Sequence, residues 1–304
     1  MANEANQNCR QWLARLSNLN CDKSRGQAPH KPLLLLVVLD LIEDGKLNGS
    51  LLGRDGNLAF RFSSYWTIVA ERRQSRPDVR LPFYFMKSDG FWTPLGADGK
   101  PAASKVDAVI AQLDVSFLLC AGEQEFRTHA RRTLIAKYFE PHERAALYNL
   151  VGIEPPPEDI IEADAYRFND SGESDRKRDA KFSLRVLPAY DFTCALTRYR
   201  MVSVDGKTAV DAAHIHQFKK GGSNHPTNGI ALSKTAHWLF DRGFWSITND
   251  YKILVKDGCF DECGNAEHLL KPRANSQIFL PKNSAFRPGF EFLGWHRHHH
   301  GFQN

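Results

Sequence analysis

The sequence lacks any long hydrophobic run. Its longest apolar stretch, residues 32–39, is far shorter than the roughly 20 residues that a helix needs to cross a bilayer. The first ten residues also lack the basic segment, apolar stretch and small-residue cleavage site of a secretion signal. The sequence therefore predicts a cytoplasmic protein that has no membrane partner.

Cysteine is also sparse. Six cysteines scattered over 304 residues do not form a disulfide framework, and in a reducing compartment we expect free thiols or occasional ligands. Only Cys259 and Cys263 lie close together, and no second cysteine or histidine pair follows at zinc-site spacing. We therefore predict no structural zinc.

A strong charge of one sign is missing as well. A net charge of +5 and a pI near 8.8 are compatible with a polyanionic partner but do not require one. The basic residues form four groups, each of which taken alone is more typical of a solvated surface than of a DNA contact. These groups are Arg72, Arg73, Arg76 and Arg80; Arg127, Arg131 and Arg132; Arg176, Lys177 and Arg178; and Lys219 and Lys220.

The length of the chain predicts two domains. With 42% hydrophobic residues, the sequence has enough apolar material for two cores. Consecutive prolines, acidic residues and a polar Ser/Gly stretch interrupt the hydrophobic pattern at residues 153–175. We predict a first domain over residues 1–152, a linker over 153–175, and a second domain over 176–304.

The first domain has the pattern of a helix-rich, mixed α+β fold. Apolar residues recur at helical spacing over residues 6–20 and again over 126–150. Residues 30–45 predict a buried helix, because their middle is apolar on every side. Pro32 suits the first turn of this helix and Gly45 its end.

Three turn signals predict β-hairpins. They lie at Asp89–Gly90, Asp205–Gly206 and Asn249–Asp250. The first would pair strands within residues 81–95, the second would place residues 207–218 on its second strand, and the third would close residues 244–255. A polar loop, residues 219–229, leads to a helix that begins after Ser233 and stops at Gly243.

The second domain carries residues suited to phosphodiester hydrolysis, which needs a base to deprotonate water and a cation to stabilise the developing charge. The near-neutral reference pKa of histidine suits His214 as that base. His237 and Asp241 are four residues apart on a predicted helix, so both can grip one ion. The amide of Asn228 can bond backbone groups across the loop.

Residues 178–254 resemble the ββα-metal nucleases called HNH. The shared pieces read A-H-I, N-G-I-x-L and H-x-x-F-D-x-G, in that order. The resemblance implies a DNA endonuclease in which His214 is the general base, Asn228 orders the loop, and His237 and Asp241 hold a divalent metal. The expected metal is Mg²⁺ or Mn²⁺, with Co²⁺ and Ni²⁺ as further candidates.

The chain departs from this family at two places. Many HNH enzymes have a metal-binding Asp or His directly before the base, where this chain has Ala213. Asp211, two residues earlier on the same face of the strand, is our substitute ligand. Cysteine pairs that flank some HNH cores are absent, since Cys194 is followed by Thr197 where a partner could stand.

Residues 8–150 resemble the sulfur-binding domain of McrA-like restriction endonucleases, which recognise DNA with phosphorothioate in its backbone. The resemblance rests on residues 25–47 and 81–95. An apolar concavity suits sulfur, which is less strongly hydrated than oxygen. Ala28, Pro29, Pro32 and either Phe83 or Tyr84 would form the concavity, while Arg25, His30, Lys31, Arg73 and Arg76 would hold phosphates or a base edge. Each of these residues is equally compatible with a purely structural role.

Together, these features predict a modification-dependent, type IV restriction endonuclease that binds phosphorothioate-modified double-stranded DNA and cuts nearby. Because one HNH site cuts one strand, we expect a homodimer or paired action. Two alternatives stay open. In one, the first domain recognises a methylated base; in the other, the chain is a DNA-binding relic that has lost catalysis.

Overall fold

The computed structural model describes residues 2–24, 26–47, 49–70, 76–156, 175–256, 258–265 and 269–302. The chain divides into two compact units: unit 1 contains residues 1–177 and 204–206, and unit 2 contains residues 178–203 and 207–304. Both combine helices with short antiparallel sheets, which confirms the predicted α+β class. None of the helices in the described residues is long and apolar enough to cross a membrane.

Unit 1 packs its helices around one buried helix, α2. Its helices are α1 (Ala2–Leu16), α2 (His30–Glu43), α3 (Gly56–Val69), α4 (Arg80–Phe85), α5 (Val115–Gly122), α6 (Gln124–Tyr138) and α7 (Pro141–Val151). The strands β1 (Leu51–Gly53), β2 (Trp92–Leu95) and β3 (Ile110–Leu113) form an antiparallel sheet in the order β1-β3-β2. Residues 31–39 of α2 are all buried, so the buried helix is confirmed.

A buried ion cluster anchors α6 to α2. Arg131 donates to Asp40 at 2.8 Å and to Glu43 at 2.6 Å, and the Tyr65 hydroxyl donates to Asp40 at 2.6 Å. Burial raises the pKa of the Asp40 carboxyl and of the Tyr65 hydroxyl. Arg131, a member of one of the basic groups, is only 3% exposed and belongs to the core of unit 1.

The hairpin predicted over residues 81–95 is wrong. The segment before Gly90 is helical, first as α4 and then as a 3₁₀ helix over Met86–Asp89. Phe83 and Met86 are fully buried and lie three positions apart, a spacing that puts both on the inner face of a helix. Strand β2 follows Gly90 and pairs with β3 instead.

The expectation of free thiols fails at two positions. Cys9 in α1 and Cys120 in α5 form a disulfide, although 111 residues separate them. Helix packing brings them together, which their spacing in the sequence could not indicate. The other four cysteines are free: Cys21 and Cys194 are buried, and Cys259 and Cys263 are exposed.

Unit 2 contains two short two-stranded sheets and three helices among its described elements. In chain order these are α8 (Asp175–Ala189), β4 (Val210–His214), β5 (Gly229–Ser233), α9 (Lys234–Asp241), β6 (Trp245–Ile247), β7 (Ile253–Val255) and α10 (Phe290–His299). The predicted hairpin of β6 and β7 is confirmed. The predicted helix at α9 is confirmed too, with the Ser233 side chain accepting from the Ala236 N–H.

The hairpin predicted at Asp205–Gly206 is reduced to a single bridge between Val202 and Thr208. The strand that pairs with β4 over its whole length is β5. The sequence pattern did not predict a strand at these residues, which lie between the polar loop and the following helix. All of β5 except Ser233 is buried, and this continuous apolar strand covers more of the core than the exposed residues near the bridge do.

The C-terminal histidines lie largely on α10, which packs against β6. His296 is 1% exposed, stacks on Phe240 at 3.7 Å and bonds through both ring nitrogens. The Ser246 hydroxyl lies 2.8 Å from its Nδ1, and Nε2 donates to the Phe240 carbonyl at 3.1 Å. Burial lowers the pKa of His296 to about 3, so the ring is a neutral core residue.

Candidate active site

Strands β4 and β5 and helix α9 form a ββα unit that carries the predicted catalytic residues. The two strands are antiparallel, with His214 opposite Gly229 at the open end of the ladder. Residues 215–228 connect that end, and α9 begins directly after β5. The base candidate, the loop and the candidate metal-binding helix are therefore joined by short, hydrogen-bonded backbone.

The His214 ring is fixed by two contacts. Its Nε2 lies 2.8 Å from the Oδ1 of Asn224, and its face stacks on Phe182 at a centroid distance of 3.8 Å and an angle of 4°. An amide oxygen can only accept a hydrogen bond, so Nε2 carries a hydrogen and donates it to Asn224, and a neutral ring has its basic nitrogen at Nδ1. This is the tautomer that a general base at Nδ1 requires.

Asn228 closes the loop as a buried clamp. Its side chain is 0% exposed; Oδ1 accepts from the His216 N–H at 2.8 Å, and Nδ2 donates to the carbonyls of His216 (3.0 Å) and Ser223 (2.8 Å). A Cβ at Gly222 would lie 1.8 Å from the His216 carbonyl oxygen, so this closure needs glycine there. The catalytic role of Asn228 stays a prediction.

Gly229 makes room for the stack on the histidine. A Cβ at this position would lie 2.3 Å from the Val186 Cγ2 and 2.9 Å from the Phe182 ring. Gly229 is the cross-strand neighbour of His214, so its missing side chain lets α8 approach the strand. Phe182 reaches the imidazole through this gap.

His237 and Asp241 come together on α9, with Nε2 and Oδ2 3.3 Å apart and side chains 29% and 42% exposed. Asp211 is exposed and shares its strand face with Ala213, which is fully buried. Within the described residues, no group of three or more His, Cys, Asp or Glu side chains is placed to hold one metal ion. The structure thus joins two of the three predicted ligands and leaves Asp211 outside the pair.

In unit 1, Lys31 is engaged inside the fold. Its ammonium donates to the Asn20 carbonyl at 2.7 Å, the Ser88 hydroxyl at 2.7 Å and the Asp89 carboxylate at 2.6 Å. With 7% of the residue exposed, all three of its hydrogens are used by neighbours within this unit.

The other residues predicted to bind sulfur or phosphate divide by exposure. Pro29, Pro32 and Phe83 are buried, and Phe83 packs edge-on against Trp92 at 5.3 Å. Ala28, His30 and Tyr84 are half-buried and Arg76 is exposed. His30 lies 4.7 Å from Trp66, and the Tyr84 hydroxyl donates to the Ala103 carbonyl at 2.8 Å. Arg25 and Arg73 lie outside the described residues.

Two residues next to the base were missed by the sequence interpretation. Asn224 lies in the polar loop, where composition gave no reason to prefer it over its neighbours. Phe182 lies on α8, and nothing in its spacing in the sequence links that helix to His214. The contact depends on Gly229, and the effect of an absent side chain on distant packing is not visible in a sequence pattern.

The HNH endonuclease family model matches residues 194–248. A solved structure described as "Modification dependent TagI restriction endonuclease" is similar at 20% identity with a TM-score of 0.31, over 41% of this chain and 39% of that one. No curated protein matches the chain. Residues 194–248 thus form an HNH endonuclease domain.

Proposed function

We propose that the protein is a metal-dependent DNA endonuclease that hydrolyses phosphodiester bonds at His214. The observation that carries this proposal is the fixed imidazole: Asn224 holds Nε2 and Phe182 holds the ring face. In contrast to the fully buried His296, His214 is half-buried and keeps exposed surface.

The proton transfer uses Nδ1 of His214. With the hydrogen on Nε2, this nitrogen can take a proton from a water as the water attacks phosphorus. The resulting imidazolium keeps its Nε2–H on the Asn224 oxygen, so the ring need not reorient. The Asn228 clamp holds the backbone of the loop that carries Asn224.

His237 and Asp241 would hold the metal. An imidazole nitrogen and a carboxylate oxygen suit Mn²⁺, Co²⁺ and Ni²⁺, and the carboxylate also suits Mg²⁺. Their separation of 3.3 Å fits neighbouring ligands of one ion, which lie about 3 Å apart around Mg²⁺. When bound, the cation supplies positive charge for the leaving 3′ oxygen. Asp211 is our proposed third ligand.

We further propose that unit 1 selects DNA that carries phosphorothioate. The support is the sequence resemblance together with the partly exposed Ala28 and His30 at the start of α2. Among the proposed contacts, Ala28, His30, Tyr84 and Arg76 keep exposed surface in the structure. A sulfur atom costs less to desolvate than oxygen against such apolar groups. Paired action of two chains would cut both strands.

Cleavage of matched plasmids tests both parts of the proposal. Phosphorothioate-modified, cytosine-methylated and unmodified copies of one plasmid are incubated with the full chain and Mg²⁺, Mn²⁺, Co²⁺ or Ni²⁺. We expect cleavage of the phosphorothioate plasmid. Cleavage of only the methylated plasmid would refute the sulfur specificity and retain the nuclease. No cleavage of any plasmid with any metal would refute the nuclease.

A further inference from the structure

Helix α10 lies outside the residues that match the HNH family and carries a row of stacked rings. His216 stacks on Trp295 at 3.9 Å and 19°, and Trp295 stacks on His299 at 4.6 Å and 7°. Lys220 Nζ lies 2.6 Å from His299 Nε2, and His216 Nε2 donates to the Lys220 carbonyl at 3.0 Å. We call these four residues the basic ladder.

We propose that the basic ladder, with neighbouring Lys219, binds backbone phosphates of the DNA duplex beside the cutting site. This inference rests on the proposed nuclease function and assigns part of its substrate contact to α10. The ligand class is the phosphodiester backbone, which any DNA sequence presents.

The positive charge of this surface comes from Lys219 and Lys220. Burial lowers the pKa of His299, and its neighbours Lys220, His216 and His298 lower it further. A lysine ammonium placed 2.6 Å from an imidazole nitrogen donates to that ring, which leaves the lysine charge uncompensated. Lys219, Lys220 and His299 are exposed, so a phosphate oxygen can reach them.

Asp241 is a carboxylate that acts on His300, where it raises the pKa less than burial, His299, Lys220 and Lys256 lower it. The His300 ring lies edge-on to that of His299 at a centroid distance of 4.8 Å, whereas Lys220 bonds His299 directly at 2.6 Å. The charge of the ladder is therefore complementary to a polyanion.

Hydrogen bonds and ring stacking connect the basic ladder to the loop of residues 215–228. His216 lies two residues after His214, and Asn228 bonds both its N–H and its carbonyl. The His216 ring then stacks on Trp295. A phosphate bound by Lys220 would therefore lie at a fixed position relative to the general base His214. Contacts to backbone phosphates commonly set the position of the duplex on a protein in this way.

Lysine acetylation tests the surface without requiring catalysis. The full chain is labelled with an amine-reactive acetylating reagent in EDTA, with and without saturating duplex DNA, and each lysine is quantified by mass spectrometry. We expect DNA to protect Lys219 and Lys220. Lys282, an exposed lysine before α10, serves as the control and should label equally in both conditions. Equal labelling of Lys220 with and without DNA would overturn the proposal.

Binding measurements on variants provide the second arm. Lys220→Gln and Lys219→Gln are compared with Lys282→Gln by fluorescence anisotropy across a salt series in EDTA. Loss of one lysine–phosphate contact should lower the slope of log K against log salt by about 0.9 and weaken binding about eightfold at 0.1 M salt. Unchanged slopes in both the Lys220 and the Lys219 variant would contradict the inference. If DNA protects Lys219 and Lys220 but the plasmid assay shows no cleavage, the proposed nuclease activity is refuted and the proposed phosphate contact is retained.

Discussion

Replacing Asn228 by aspartate should open the loop between β4 and β5. The carboxylate can still accept from the His216 N–H, but it loses both donors and faces the carbonyls of His216 and Ser223 in a fully buried position. Each lost hydrogen bond costs about 1 kcal/mol, and each carbonyl left unpaired adds about 1 kcal/mol or more. The loop should therefore open more easily by about 4 kcal/mol.

Hydrogen exchange at the amides of Ile215 and His216 measures this opening directly, because both are bonded to Asn228. At 1.36 kcal/mol per factor of ten, about 4 kcal/mol corresponds to exchange roughly a thousandfold faster. Asn283→Asp is the matched control, since the Asn283 Oδ1 only accepts, from the Ala285 N–H, and aspartate preserves that bond. Unchanged exchange at Ile215 and His216 in Asn228→Asp would refute the clamp.

Three further predictions concern the surroundings of the base. Gly229→Ala should displace Phe182, destabilise unit 2 by about 1–3 kcal/mol and reduce cleavage, as measured by thermal melts and plasmid nicking. Asn224→Asp would place a carboxylate beside Nε2 that favours the imidazolium, so the acidic limb of the pH–rate profile should move upward, whereas an unmoved limb would place the base elsewhere. His296 has a folded pKa of about 3, below its unfolded value of 6.5, so its stabilising effect is present above pH 6.5 and lost as pH falls toward 3. His296→Gln should remove about 1.4 kcal/mol per pH unit of this dependence in denaturation series between those values.

The strongest helices could be predicted from the sequence because their signals are local. The apolar middle of α2 and the terminating Gly45, which has a φ of 62°, define a buried helix within one segment. The cap at Ser233 does the same for α9. Such signals need no knowledge of what packs against the element.

Two of the hairpin predictions were wrong, one because the alternation of apolar residues was ambiguous and the other because the pairing strand lay farther along the chain. Phe83 and Phe85 fit an alternating strand, but Phe85 is exposed, and the burial of Phe83 and Met86 follows helical spacing. Strand β4 met the next strand-like segment only after a loop of residues 215–228. The choice of partner depended on which segment buried more apolar surface, a property of the assembled unit.

The positions of the candidate catalytic residues followed from the ordered motif, while their supporting contacts did not. His214 lies on β4 and His237 on α9, and Asn228 closes the loop directly before β5. Asn224 and Phe182 approach His214 only through the folded loop and the gap at Gly229. Long-range contacts of this kind, like the Cys9–Cys120 disulfide, require the tertiary structure.

Nicking of supercoiled plasmid by the wild-type chain and by His214→Ala, each with Mn²⁺ and with EDTA, tests the central claim most directly. His129→Ala, which removes an exposed histidine of α6, controls for loss of any imidazole. The account predicts cleavage by the wild type and His129→Ala with Mn²⁺, none in EDTA, and none by His214→Ala although its DNA binding persists. Cleavage that continues in His214→Ala, or in EDTA, would contradict it.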